Sequence, residues 1–163
     1  MTSQPNTQIQ TGERQLLMSR VFDAPRAVVF RAFSTSAALA QWWGPKGWTL
    51  PVSNQDFRPG GTWHYCMRGP GGGESWRLSR YSEIVEDERI VYTDAFSNAE
   101  GKVAEGTPQM QIRLEFRDED GGTRVTSKTE FTSSEELKRV LDMGAVQGVT
   151  ETWDRLEEYL ESR

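Results

Sequence analysis

The stretch MQIRLEFRDEDGGTRVTSKTEF, residues 110–131, followed by SSEELKRVLDMGAVQGVTETWDRLEEYLE, residues 133–161, changes its periodicity once, and that change decides the fold. In the first part Met110, Ile112, Leu114 and Phe116 share one strand face, while Gln111, Arg113, Glu115 and Arg117 share the other. Asp118 to Gly122 reads as a hairpin turn, and Val125, Ser127, Thr129 and Phe131 continue an inward row on the next strand. Ser133 and Ser134 then offer a helix cap, with Glu135 and Glu136 in the first turn, where the helix dipole favours anions. Leu137, Val140, Leu141, Ala145, Val149, Thr152, Trp153, Leu156, Tyr159 and Leu160 mark one helical face. Gly144 and Gly148 lie inside that run, and each costs about 1 kcal/mol relative to alanine. They mark a kink, a junction of two helices, or the approach of a bulky partner.

Upstream the pattern is simpler. QLLMSRVF from Gln15 reads as a strand buried on both sides for part of its length. Pro25 suits a first helical turn capped by Asp23 or Ala24, with Val28, Val29, Ala32 and Phe33 at helical spacing. A second short helix, capped by Ser36, places Leu39, Trp42 and Trp43 together and stops at Gly44-Pro45. From Trp48 to Thr132 the chain reads as strands and turns, including the type II signature Arg58-Pro59-Gly60-Gly61 and the glycine-rich tip 69–73. Residues 1–13 are polar and read as a loose tail, leaving 14–163 as a single domain.

Composition narrows the chemistry. The chain has 163 residues and a net charge of −5, with no basic stripe, which argues against nucleic acid as a partner. One histidine and one cysteine cannot assemble a His/Cys zinc site, and no cofactor is expected. No run approaches the ~18 apolar residues of a membrane span, and no leader precedes Gln15, so a cytoplasmic protein without membrane insertion is expected. Of six tryptophans, five fall between Trp42 and Trp76.

Four ordered segments carry a resemblance. They are Val21-Phe22-Asp23-Ala24-Pro25 with Val29-Phe30, Trp42-Trp43-Gly44-Pro45, Asp56-Phe57-Arg58-Pro59-Gly60-Gly61, and Glu83-Ile84-Val85 with Glu88-Arg89-Ile90-Val91-Tyr92-Thr93. With Gly144 and Trp153-Asp154-Arg155-Leu156, the chain resembles the activator of heat-shock-protein-90 ATPase homologue family, in the START/Bet v 1-like (SRPBCC) superfamily, over about residues 15–161. Ser79, where relatives often have glycine, and Glu86-Asp87, where a double proline is common, depart from the pattern in strand and turn geometry. The resemblance implies an α+β helix-grip fold. In it a curved antiparallel sheet of about six or seven strands, two short helices and a long C-terminal helix enclose a cavity. Function is not implied by such a fold, which serves carriers, receptors, cyclases and co-chaperones.

If the sheet lines a cavity, apolar parity assigns the inward residues. The expected ligand-binding set is Trp43, Trp63, Tyr65, Met67, Trp76, Leu78, Tyr92, Met110, Ile112, Thr129, Gly144 and Gly148. The same side chains would serve equally as a filled core. His64 and Cys66 fall on the opposite parity, which argues against a catalytic role for either. Asp56, Glu83 and Asp94 would each serve as acid or base if buried in the pocket, although Glu83 reads first as the partner of a neighbouring arginine and Asp56 as a turn-fixing group beside Arg58.

The leading expectation is binding of a small apolar or aromatic molecule, with fatty acids, isoprenoids and polyketides as the classes. A cyclase- or dehydratase-type enzyme using the same cavity ranks second. A chaperone partner ranks last, since it rests on the family name and the eukaryotic co-chaperone carries a further N-terminal domain without a counterpart here. A homodimer through the sheet's outer face is neither demanded nor excluded.

Overall fold

The structure, a computed structural model, describes residues 7–162. Its elements follow the chain as β1 (Gln8–Thr11), β2 (Gln15–Phe22), α1 (Arg26–Ser34), α2 (Ser36–Trp42), β3 (Thr49–Gln55), β4 (Thr62–Arg68), β5 (Glu74–Val85), β6 (Arg89–Phe96), β7 (Gln109–Glu119), β8 (Gly122–Phe131), α3 (Ser134–Asp142) and α4 (Ala145–Ser162). All these strands join one antiparallel sheet in the order β1-β2-β8-β7-β6-β5-β4-β3. The early strand β2 pairs with the last, β8, while β3 to β8 follow one another as neighbours, and the helices α1 and α2 fill the long connection from β2 to β3. This is the α+β helix-grip architecture.

The eighth strand is a correction to the reading of the tail. Residues 8–11 pair with β2 from Gln8 opposite Ser19 to Thr11 opposite Leu16, and all four are exposed. An edge strand with no buried face leaves no apolar alternation to detect. Residues 1–6 of the expected tail lie outside the described residues.

Local chemistry sets the turns. Gly60 has φ 84 and the Gly61 amide donates to the Arg58 carbonyl at 2.8 Å, the geometry that Pro59-Gly60 requires. A Cβ on Gly61 would stand 2.1 Å from the Asp56 carbonyl oxygen, so only glycine fits there. Asp56 meets Arg58 at 2.8 Å, as the turn-fixing role demanded. At the β7–β8 hairpin, Asp120 and Gly121 both have positive φ, 52 and 79, which matches the twist of the flanking strands.

Two helix starts sit one residue from their expected places. Pro25 stands in extended conformation just before α1, and its carbonyl accepts from Val28 and Val29. Thr35, not Ser36, caps α2, its hydroxyl accepting from the Ala38 amide at 3.2 Å. The C-terminal helical run is divided: Gly144, with φ 85, separates α3 from α4, while Gly148 remains helical inside α4. Of the three readings of these glycines, the junction of two helices holds at Gly144.

The concave face of the sheet and the helices share one core, with Phe22, Trp42, Tyr65, Phe116, Val125 and Leu156 almost fully buried. Arg20, itself buried on β2, ties α4 to the sheet by ion pairs to Asp154 at 2.7 Å and Glu157 at 2.9 Å. No helix among the described residues is long and apolar enough to cross a membrane.

Candidate functional site

Between the concave sheet face and the start of α4 lies a cavity of about 320 Å³. Its walls come from every layer: Leu16 and Phe33, Trp43 with Gly44-Pro45, Tyr65 and Met67, Tyr92, Met110, Ser127 and Thr129, and Gly144, Gly148 and Trp153 above. Met143 also lines it and is 64% exposed, so the cavity opens where α3 gives way to α4. Two larger depressions elsewhere are edged mainly by polar surface groups such as Gln15, Thr93 and Glu130, or Asp23, Asp120 and Arg124. Apolar walls around a few convergent polar groups single out the smaller cavity.

The structure brings Trp43, Tyr65, Met67, Tyr92, Met110, Thr129, Gly144 and Gly148 of the expected set to this one space. Ile112 lies opposite Tyr92 and Thr129 in the ladders but packs on the margin of the core, outside the cavity. Trp63 is buried behind the wall, stacked on Tyr65 with centroids 3.9 Å apart and donating its indole N–H to Ser53 Oγ at 3.0 Å.

Trp76 and Leu78 are corrected. Across the 69–73 turn Arg68 pairs with Glu74, so Cys66 faces Trp76, His64 faces Leu78 and Tyr65 faces Arg77. Directly paired residues share a face. Trp76 therefore packs against His64, with ring centroids 5.2 Å apart, on the side away from the cavity. His64 on that side meets the Asn98 carbonyl at 2.9 Å, and burial pushes the Cys66 thiol pKa up. Apolar parity failed on β5 because its inward row is Arg77, Ser79 and Tyr81.

That inward row supplies what hydropathy missed. Arg77 reaches Asp94 Oδ2 with both Nη2, at 2.7 Å, and Nε, at 3.2 Å, while Ser79 Oγ donates to Asp94 Oδ1 at 3.1 Å. The guanidinium lies over the Phe96 ring, 4.3 Å from its centroid. The side chains of Arg77 and Asp94 are 19% and 5% exposed, so a salt bridge sits in the cavity floor. Burial works most strongly against the charge of Arg77, but the charge and hydrogen bond of Asp94, together with Tyr65 and Tyr92, hold its pKa above the usual arginine value. Counting partners outward from the glycine tip would have found Arg77, since that register follows from the turn and not from side-chain polarity.

Two tyrosines border the pair. Burial raises the Tyr65 pKa well above the ordinary phenol value, the Asp94 charge adds to this, and Arg77 and the Trp43 indole N–H oppose it. Tyr92 is raised in the same way, by burial first and by Asp94 next. Both phenols therefore keep their protons near neutrality and can donate a hydrogen bond. Of the three carboxylates weighed from the sequence, Asp94 is the buried one, and both of its oxygens already accept hydrogen bonds. The floor thus presents a carboxylate already tied to a guanidinium and a hydroxyl, an arrangement suited to hydrogen-bond recognition. Glu83, as expected, is held by a neighbouring arginine, Arg89, at 2.9 Å on the surface.

No curated protein matches the chain. Among solved structures, it is similar to a protein from Mycobacterium smegmatis, with 26% identity, 93% of this chain and 94% of that one covered, and a TM-score of 0.87. A protein from Staphylococcus epidermidis is similar at 28% identity, covering 94% and 93%, with a TM-score of 0.82. The AHSA1 protein of Silicibacter pomeroyi shares the fold at 20% identity, covering 90% and 97%, with a TM-score of 0.71. The model of the activator of Hsp90 ATPase homolog 1-like proteins matches residues 23–161, spanning nearly every segment that carried the resemblance and both walls of the cavity, and this chain belongs to that family.

Proposed function

We propose that the protein binds a small apolar or aromatic molecule in the cavity between the sheet and α4. One observation carries this reading: the space of about 320 Å³ stays open although aromatic and methionine side chains surround it. A space of that size, near the lower end of the ~300–1,000 Å³ of small-molecule sites, is unfilled by the core and suits a compact ring system. The test is calorimetry and thermal unfolding of the protein against a panel of small aromatic and isoprenoid compounds. Binding should quench fluorescence from Trp43 and Trp153, which line the space, and raise Tm. A panel that changes neither heat, fluorescence nor Tm would overturn the proposal.

A second reading, a cyclase- or dehydratase-type enzyme, draws on the convergence of Asp94 with Tyr65 and Tyr92 at one end of the cavity. It ranks lower because Arg77 and Ser79 occupy both Asp94 oxygens and the phenols stay protonated. Turnover of a polyketone that is lost in Y92F but kept in H64A would favour it.

A further inference from the structure

Resting on the binding reading, we infer that the cavity selects an uncharged acceptor oxygen, such as the carbonyl of an aryl ketone, over a carboxylate of the same size. Among the described residues, Arg77 and Asp94 are the only charged ones in its lining, and they neutralise each other at 2.7 Å. A ligand carboxylate would therefore bring a net negative charge into a buried space whose one cation is already paired. Burial of an ion without a compensating partner is strongly unfavourable, whereas a carbonyl carries no such cost.

The floor nevertheless offers donors. Arg77 spends Nε and Nη2 on Asp94, and among the described residues Nη1 makes no hydrogen bond. The Tyr92 hydroxyl likewise has no partner among the described residues. No fully buried side-chain nitrogen or oxygen among them is unsatisfied, so both groups must reach open space, and the space their residues line is the cavity. The Ser127 and Thr129 hydroxyls stand on the same wall. Asp94 turns its oxygens to Arg77 and Ser79. The bonds from Nε and Nη2 to Asp94, with the centroid of the Phe96 ring 4.3 Å from the guanidinium carbon, hold the group in place, so the direction of the Nη1 donors is set before a ligand arrives. An oxygen that accepts from Nη1 and Tyr92 Oη completes this floor, and the ring system behind it meets Trp43, Met67 and Trp153. Of the three ligand classes that the sequence suggested, free fatty acids are disfavoured and neutral polyketide-like ketones favoured.

Three naphthalenes substituted at the same ring position separate the possibilities: acetylnaphthalene, naphthoate and ethylnaphthalene, titrated calorimetrically into the full chain at neutral pH. The ketone should bind about tenfold or more tightly than either of the others. Naphthoate binding as well as the ketone would overturn the charge-balance argument, and ethylnaphthalene doing so would overturn recognition of the oxygen, while both leave the binding reading intact. No binding by any of the three would remove the binding reading and this inference together. D94N supplies an independent arm, because asparagine keeps the shape and an acceptor for Arg77 but leaves the floor with a net positive charge. With its fold verified by circular dichroism, D94N should gain about tenfold for naphthoate and reverse the order of preference. An unchanged order in a folded D94N would overturn the inference.

Discussion

Arg155 Nη1, on α4, lies 2.9 Å from the carbonyl oxygen of Gly44 and donates to it. The same nitrogen reaches the carbonyls of Trp43, Pro45 and Trp48 at 3.2, 3.3 and 3.1 Å, so its two hydrogens are shared among four acceptors. These carbonyls belong to the loop that ends α2 and forms one wall of the cavity. The loop has no helix or strand ladder to satisfy them, and α4 supplies the donor. R155M should therefore lower stability by about 1–3 kcal/mol in chemical denaturation, with R155K recovering less than half, because one ammonium cannot reproduce the planar fork. Ligand affinity should fall as well, since Trp43 is carried by this loop. A full rescue by lysine would show that charge near the helix matters and the shared donor does not.

The two glycines of the C-terminal segment should respond with opposite signs. Gly144 has φ 85, and a methyl group there would find nothing within 4 Å, so G144A meets only backbone strain, about 1 kcal/mol. Gly148 is helical, and its Cβ would make an ordinary contact with Pro45 Cγ at 3.8 Å. G148A should gain up to about 1 kcal/mol from helix propensity. Thermal unfolding of the two variants checks this; destabilisation by both would mean that Gly148 is needed for close packing that the contact distance does not reveal.

These glycines also show where the sequence was legible and where it was not. The alternation of Met110, Ile112, Leu114 and Phe116 and the helical spacing from Leu137 to Leu160 located the sheet and its covering helix, because both bury one face against a shared core. The backbone break at Gly144 could not be separated from a kink, since composition does not report φ. β1 was missed because Gln8–Thr11 buries nothing. In the candidate site, Tyr65, Met67 and Met110 were legible because large apolar side chains recur at every second position of β4 and β7, and Tyr92 because it follows Ile90 at the same spacing. Arg77 was not, because it is a charged residue on a concave face, tolerated there by Asp94 and invisible to any rule that places apolar side chains inward.

Adjacent tryptophans divide into a structural and a site residue. Trp42 is fully buried and donates its indole N–H to the Ala32 carbonyl at 3.0 Å. Trp43 is half-buried, edge-on to Trp63 at 4.9 Å, and lines the cavity. W42L should cost about 3–5 kcal/mol through a large cavity and an orphaned carbonyl. W43L should cost about 1–2 kcal/mol and weaken aromatic ligands about tenfold. Denaturation midpoints and calorimetry on both variants separate the roles; similar stability losses with equal retention of binding would place Trp43 in the core alone.

Alkaline pH should unfold the protein through its buried phenols. Burial pushes Tyr81 up to about 12, with its hydrogen bond from Gln55 opposing, and Tyr65 and Tyr92 are raised further by burial and by Asp94. An unfolded tyrosine titrates near ~10. The folded state thus holds these protons more tightly than the unfolded chain, so their contribution is fully present below ~10 and is lost as pH rises through 12 and beyond. Phenolate absorbance from the three rings should then rise together with the loss of near-ultraviolet circular dichroism, in a single transition. Y92F removes one such proton but keeps the ring, so its stability should fall less steeply above pH ~10 than that of the parent protein. Phenolate signal ahead of unfolding that is lost in Y92F would instead mean that the cavity admits enough water to solvate a charge at Tyr92, and the selectivity for an uncharged ligand would weaken with it.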